Sequence, residues 1–247
     1  MTISETYFID NIEGMKKYPD GYFDLALCDI EYGIGASKPS KKPILKRQKN
    51  GNFLKVNNPI YTPKEWDFSK STDAYFEQLF RVSKNQIVFG GNYYPQLSGG
   101  AIVWDKINGC SDQYGCEIAY QSFNNRTDII YYMWAGMFQG KYCGKDIRKA
   151  MVQQGNKSLN EKRIHETQKP VILYEYLLDE YAKTGQKIID THMGSQSLRI
   201  AAYKKGLHYV GFENDQEHFD NGENRFYTEI EAYENLKLLQ KKQLSLF

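Results

Sequence analysis

Lys187-Ile188-Ile189-Asp190-Thr191-His192-Met193-Gly194-Ser195-Gln196-Ser197 opens a stretch that runs on to Tyr209-Val210-Gly211-Phe212-Glu213. Gln186–Asp190 reads as a buried strand, and Gly194–Lys205 as a helix with Ile200, Ala201 and Tyr203 on one face. Tyr209–Glu213 reads as the next strand. Gly194 and Ser195 sit in the turn before the helix, where glycine lets a ligand approach the backbone and the helix start offers free amides. Glu213 ends its strand about 20 residues after Asp190, the spacing at which an acid accepts hydrogen bonds from ribose hydroxyls. Alone, the unit describes either a nucleoside-cofactor turn on a doubly wound sheet or an ordinary tight strand-to-helix turn.

The same rhythm extends outward. Tyr22–Cys28, Gln86–Phe89 and Ala101–Trp104 are short apolar runs of the kind that form buried strands. Ser71 or Thr72 can cap a helix reaching Val82, and Pro170 suits the first turn of one reaching Lys183 before Gly185. A charged helix from about Glu217 closes the pattern. Ala36–Pro63, polar and broken by Pro39, Pro43, Pro59 and Pro63, reads as a long loop. Asp105–His165 is irregular, with strand-like patches near Glu117–Phe123 and Asp128–Met133. Strands alternating with helices imply an α/β fold, a doubly wound and mostly parallel sheet covered on both faces.

Bulk properties narrow the function classes. A length of 247 residues suits a single α/β domain, and a net charge of +2 excludes a bulk polycation. Aromatic content of 15%, with 20 tyrosines, suits base stacking as well as ordinary packing. Cys28, Cys110, Cys116 and Cys143 form no CxxC pair, which argues against zinc and against a disulfide framework. The N-terminal residues lack a signal-peptide pattern, and no apolar run approaches a membrane span, so a cytoplasmic protein without a membrane partner or metal is expected.

Asp29-Ile30-Glu31-Tyr32-Gly33 ends another buried strand, where open α/β sheets place ligands. Asp29 can accept a hydrogen bond from an amino group and Tyr32 can stack on a planar ring. With this second constellation the chain resembles the amino-directed DNA methyltransferases (adenine-N6 and cytosine-N4), in the permuted order that puts the catalytic motif before the cofactor motif. The family D-P-P-Y corresponds to Asp29-Ile30-Glu31-Tyr32, and D-x-F-x-G-S-G-T to Asp190–Ser197. T-Q-K-P is intact as Thr167-Gln168-Lys169-Pro170, and Asp10 matches an acidic position near the cofactor adenine. The resemblance covers about Tyr7 to Arg225. Ile30 and Glu31 replace two prolines. Gln196 replaces a motif glycine and is expected to narrow the space beside the methionine part of the cofactor.

The resemblance implies a seven-stranded sheet, S-adenosylmethionine as cofactor and duplex DNA as substrate, with the target base flipped out of the stack. It implies catalytic roles for Asp29, the Ile30 carbonyl and Tyr32. It implies cofactor binding by Asp10, Lys169, Asp190, Gly194, Ser195 and Glu213, with Lys169 pairing the cofactor carboxylate. An acidic first motif residue favours adenine. Cytosine-N4 methylation, or a catalytically degenerate DNA- or clamp-binding protein, are the alternatives.

Within a methyltransferase domain spanning 1–242, Lys38, Lys41, Lys42, Lys46, Arg47, Lys49 and Lys55 follow one another without an intervening acid. Beside a base pocket, the loop 36–63 is expected to meet DNA phosphates. Residues 105–165 are the candidate target-recognition region. Gln243-Leu244-Ser245-Leu246-Phe247 resembles the pentapeptide that docks proteins onto the bacterial sliding clamp, with Gln243, Leu244, Leu246 and Phe247 as its contacts. The chain carries no evident cleavage motif of its own; membership of a restriction-modification pair and assembly as a homodimer are both compatible with it.

Overall fold

The computed structural model describes residues 3–33, 44–47, 53–56, 70–109, 114–135, 138–164 and 167–244, with the backbone alone at 44–47 and 53–56. Two compact units emerge, one comprising Met1–Ile30 with Ser71–Phe247, the other Glu31–Lys70.

The larger unit is built on β1 (Ser4–Phe8), β2 (Leu25–Asp29), β5 (Gln86–Phe89), β6 (Gly100–Asp105), β7 (Cys116–Gln121), β8 (Thr127–Tyr131), β11 (Lys187–Asp190) and β12 (His208–Glu213). They form one eight-stranded sheet in the order β1-β12-β11-β2-β5-β7-β6-β8. All run parallel except β7, which is antiparallel to both of its neighbours. The central strands β2, β5 and β11 are almost wholly buried, with polar residues only at their ends, as suits strands covered on both faces. The sheet carries one strand more than the seven the resemblance implies. The sequence did not signal β1, because this edge strand, Ser-Glu-Thr-Tyr-Phe, is mostly solvated and needs no apolar run. The two strand-like patches of the irregular region are β7 and β8, full members of the sheet.

Helices cover both faces. On one, α1 (Asn11–Met15) and α2 (Asp73–Val82) place Met15, Tyr75, Phe76, Leu79 and Val82 in a core with Ala26, Cys28, Val88, Ile189, Val210 and Phe212. Thr72 caps α2 by accepting the Tyr75 N–H. The opposite face carries α4 (Val171–Tyr181) and α5 (Ser197–Lys204), with Leu173, Leu177, Leu198 and Ile200 buried and Tyr174 meeting the Phe89 ring edge-on. Between β8 and α4 lie a small hairpin, β9 (Trp134–Ala135) and β10 (Phe138–Gln139), and the short α3 (Ile147–Ala150). The terminal α6 (Gln216–Leu244) packs its first half on the domain and exposes Leu236, Leu238 and Leu239 towards its end. Among the described residues no helix is long and apolar enough to cross a membrane.

The second unit corrects the reading of 36–63 as a loop. It contains an antiparallel hairpin, β3 (Ile44–Arg47) with β4 (Phe53–Val56), in the register Arg47↔Phe53, Lys46↔Leu54 and Leu45↔Lys55. The signal lay in two apolar-basic runs around Asn50-Gly51, a dipeptide that favours hairpins. Lysine content and the four flanking prolines obscured it.

Candidate active site

The chain leaves β11 for β12 on one side and leaves β2 for β5 on the other. Strand order therefore reverses between β11 and β2, and the carboxyl ends at such a reversal are where open α/β sheets bind ligands. Asp29 ends β2 and Asp190 ends β11, on strands paired through Ile188↔Leu25 and Ile189↔Ala26. Glu213 ends the adjacent β12. The three predicted acids thus share one edge of the sheet.

Asp190 is buried. It accepts hydrogen bonds from Tyr209 Oη (3.1 Å) and the His192 N–H (3.2 Å). Burial outweighs these bonds and pushes its pKa up from 3.8 to about 7. Beyond it the turn is shaped by left-handed residues, Gly194 (φ 46°) and Gln196 (φ 57°). They delay the helix, which begins at Ser197 rather than at the expected Gly194. The Gly194 N–H donates to Glu213 Oε2 (2.9 Å), while Glu213 Oε1 accepts the Asn214 and Asp215 N–H groups (both 3.0 Å). The fully buried Gln196 donates its amide to Glu223 Oε1 (3.0 Å) and accepts from Arg199 Nη1 (2.7 Å). Its polar end is thereby held by residues of α5 and α6.

Two further networks set the turn, and sequence reasoning missed both. Asn11 Nδ2 meets His192 Nε2 (2.9 Å), His192 Nδ1 meets Thr191 Oγ1 (2.9 Å), and Thr191 Oγ1 meets Tyr75 Oη (2.7 Å). Asp10 supports that chain indirectly by capping α1, accepting the Ile12 and Glu13 N–H groups at 3.0 and 3.1 Å. Behind the turn, Arg225 donates to the Ser195 carbonyl (2.8 Å), Ser197 Oγ (2.9 Å) and Glu161 Oε1 (2.8 Å). Glu161 also accepts Gln168 Nε2 (2.7 Å) and the Val171 N–H (2.8 Å). The Thr167–Pro170 motif and the glycine turn are therefore locked to one buried ion pair.

Lys169, with a side chain only 3% exposed, forms a short ion pair with Asp29 Oδ1 and a second with Glu117 Oε2 at 2.9 Å. Its ammonium lies 4.7 Å from the centre of the Phe89 ring. The predicted cofactor-carboxylate ligand is thus engaged with the predicted catalytic acid. Burial alone would depress the Lys169 pKa, yet Asp29 and Glu117 hold it above the ordinary lysine value. Ile30 buries its side chain in the core beside β2. Tyr32 belongs to the second unit and is half-buried.

Of the basic residues, Lys46 and Arg47 lie on β3 and Lys55 on β4. Lys38, Lys41, Lys42 and Lys49 lie outside the described residues. Gln243 and Leu244 form the last residues of α6, so the helix reaches into the pentapeptide; Leu246 and Phe247 lie outside the described residues.

Fold and site together define a doubly wound α/β protein with three acids, Asp29, Asp190 and Glu213, at one carboxyl edge of its sheet. A family model described as DNA methylase, of the N6/N4 type, matches residues 29–224, and the chain belongs to that family. Among solved structures it is similar to M1.HpyAVI in complex with SAM, at 15% identity and a TM-score of 0.50, covering 90% of this chain and 98% of the other. It is also similar to TTHA0409, a putative DNA modification methylase from Thermus thermophilus complexed with S-adenosyl-L-methionine. That match has 13% identity, a TM-score of 0.51 and coverage of 92% and 94%. At these identities the likeness is one of fold.

Proposed function

We propose that this DNA methylase transfers a methyl group from S-adenosylmethionine to the exocyclic amino group of adenine in duplex DNA. The observation that carries the reading is the Asp29–Lys169 ion pair at the strand-order reversal, one strand from the cofactor-type turn at Asp190. The acidic first residue of the motif favours adenine over cytosine.

The residues present fit the cofactor. S-adenosylmethionine carries a sulfonium and an ammonium, and a buried carboxylate with its pKa lifted to about 7, as in Asp190, gains from a cation beside it. Glu213 receives three backbone N–H bonds, and a carboxylate offers about four acceptor sites, so one is left for a ribose hydroxyl. Gly194 and Ser195 supply the turn, and Asp10 shapes the adenine side through its cap on α1. When bound, the cofactor supplies an electrophilic methyl group. Asp29 and the Ile30 carbonyl accept the two amino hydrogens of the flipped base, turning the nitrogen lone pair out of ring conjugation. Tyr32 stacks on that base, and positioning accounts for much of the rate. No covalent intermediate or metal enters this scheme.

Lys46, Arg47 and Lys55, with Lys38, Lys41, Lys42 and Lys49, meet DNA phosphates in this reading, and the parts of 105–165 outside the sheet contact the target sequence. The 243–247 tail docks on the bacterial sliding clamp; its deletion should abolish clamp binding and spare methylation of naked DNA. Asp29→Ala tests the chemistry. Transfer should fall by at least about 100-fold, as for loss of an aligned catalytic hydrogen bond, while cofactor binding persists. Full activity in that variant rejects the assignment.

A further inference from the structure

The only antiparallel strand in the described sheet brings a residue to the site that no motif announces. Because β7 runs against its neighbours, its amino end, not its carboxyl end, lies at the edge where β2, β5 and β6 finish. Glu117 stands there, opposite Trp104 in the register, and Lys106 follows the end of β6. Glu117 bonds Lys106 Nζ through Oε1 (2.6 Å) and Lys169 Nζ through Oε2 (2.9 Å), and Lys169 bonds Asp29. Two cations and two carboxylates therefore alternate in one chain, Lys106–Glu117–Lys169–Asp29. Lys106 is itself packed at 5.1 Å from the Trp104 ring, and its side chain is 10% exposed.

We propose that Glu117, backed by Lys106, is a positioning residue for methyl transfer: it holds the Lys169 ammonium against Asp29 and so fixes the carboxylate that receives the amino group. The inference rests on the reading of Asp29 given above. Three elements touch the ammonium, through Asp29 on β2, Phe89 on β5 and Glu117 on β7. Loss of Glu117 removes this hold from β7 and lets the long lysine stem swing towards another anion, the cofactor carboxylate included. Burial favours a neutral Glu117, but Lys169 and Lys106 outweigh it and hold its carboxyl below the ordinary carboxylate range, so it meets both ammonium groups as a carboxylate. Lys106 keeps Glu117 from collapsing wholly onto Lys169, and its charge balances the set.

The test compares single-turnover methyl transfer and S-adenosylmethionine affinity in the wild type, E117Q, the double variant E117Q/K106M, and D29A. E117Q alone leaves two buried lysines facing one carboxylate and can fail to fold. The double variant removes one charge of each sign and retains the Lys169–Asp29 pair. Both variants are expected to transfer methyl about 10- to 100-fold more slowly, the scale of a displaced reacting group, with cofactor affinity within about twofold of wild type. Recovery of the wild-type rate in E117Q/K106M overturns the proposal, since Glu117 then only neutralises Lys106. An unchanged rate with affinity weakened about 10-fold or more also overturns it, because Lys169 then serves the cofactor. D29A separates the two levels: full activity there rejects the reading of Asp29 itself, whereas a dead D29A beside a fully active double variant rejects the Glu117 role alone.

Discussion

Asp190→Asn should make the fold more stable at alkaline pH while weakening the cofactor site. In the folded chain burial lifts the Asp190 pKa from 3.8 to about 7. A carboxylic acid whose pKa is raised on folding binds its proton more tightly in the native state. Its contribution is complete below the unfolded value and is lost as pH rises through the folded one. Integrated between pH 5 and pH 8, that loss is roughly 2.5 kcal/mol. Asparagine carries no titrating proton and can keep its oxygen towards the His192 N–H and its amide towards Tyr209 Oη, the two present partners. The stability difference between variant and wild type should therefore shift in favour of the variant by roughly 2.5 kcal/mol over that range. With a urea m-value of about 2 to 3 kcal/mol per molar, the gap between unfolding midpoints moves by about 1 M. Groups remote from Asp190 cancel in the difference. A gap that stays constant from pH 5 to pH 8, or moves in favour of the wild type, refutes the reasoning. A cationic ligand beside Asp190 also expels its proton, so wild-type cofactor binding near pH 6.5 should show buffer-dependent heats that disappear in the variant.

Other perturbations follow from the same geometry. Arg225→Met leaves Glu161 buried without its partner; urea denaturation should register a loss of about 3 to 5 kcal/mol, and a loss below about 1 kcal/mol contradicts the locking role. In Gly222→Ala a new Cβ would lie 2.9 Å from the Gly194 carbonyl and 2.7 Å from Gln196 Cγ. Calorimetry should show weaker cofactor binding, alongside a stability cost of about 1 to 3 kcal/mol. Neutralising Lys46, Arg47 and Lys55 together should flatten the dependence of DNA affinity on salt by about one logarithmic slope unit per charge; an unchanged slope removes the hairpin from the DNA interface.

What was legible in the sequence follows burial. Strands β2, β5, β6, β11 and β12 are read from apolar runs, since strands covered on both faces tolerate little else. Edge strand β1 and the β3–β4 hairpin carry polar or basic residues and escaped the same test. The start of α5 was misplaced because Gln196, a non-glycine residue, takes a left-handed conformation that no composition rule foretells. Motif spacing did bring Asp29, Asp190 and Glu213 to one edge. It gave no hint of Glu117, Lys106, Glu161 or Arg225, whose meaning depends on partners from distant segments. Lys169 shows the limit most clearly: the motif identifies the lysine, but only the reversed strand β7 reveals that it sits between two carboxylates of the protein itself.

The most direct test of the central claim is incubation of the wild-type chain with methyl-labelled S-adenosylmethionine and mixed duplex DNA, followed by digestion and nucleoside chromatography. Label in N6-methyldeoxyadenosine is the expected result. Label in N4-methyldeoxycytidine would contradict the adenine assignment while keeping the chemistry, and no label in DNA that the chain demonstrably binds would contradict the account as a whole.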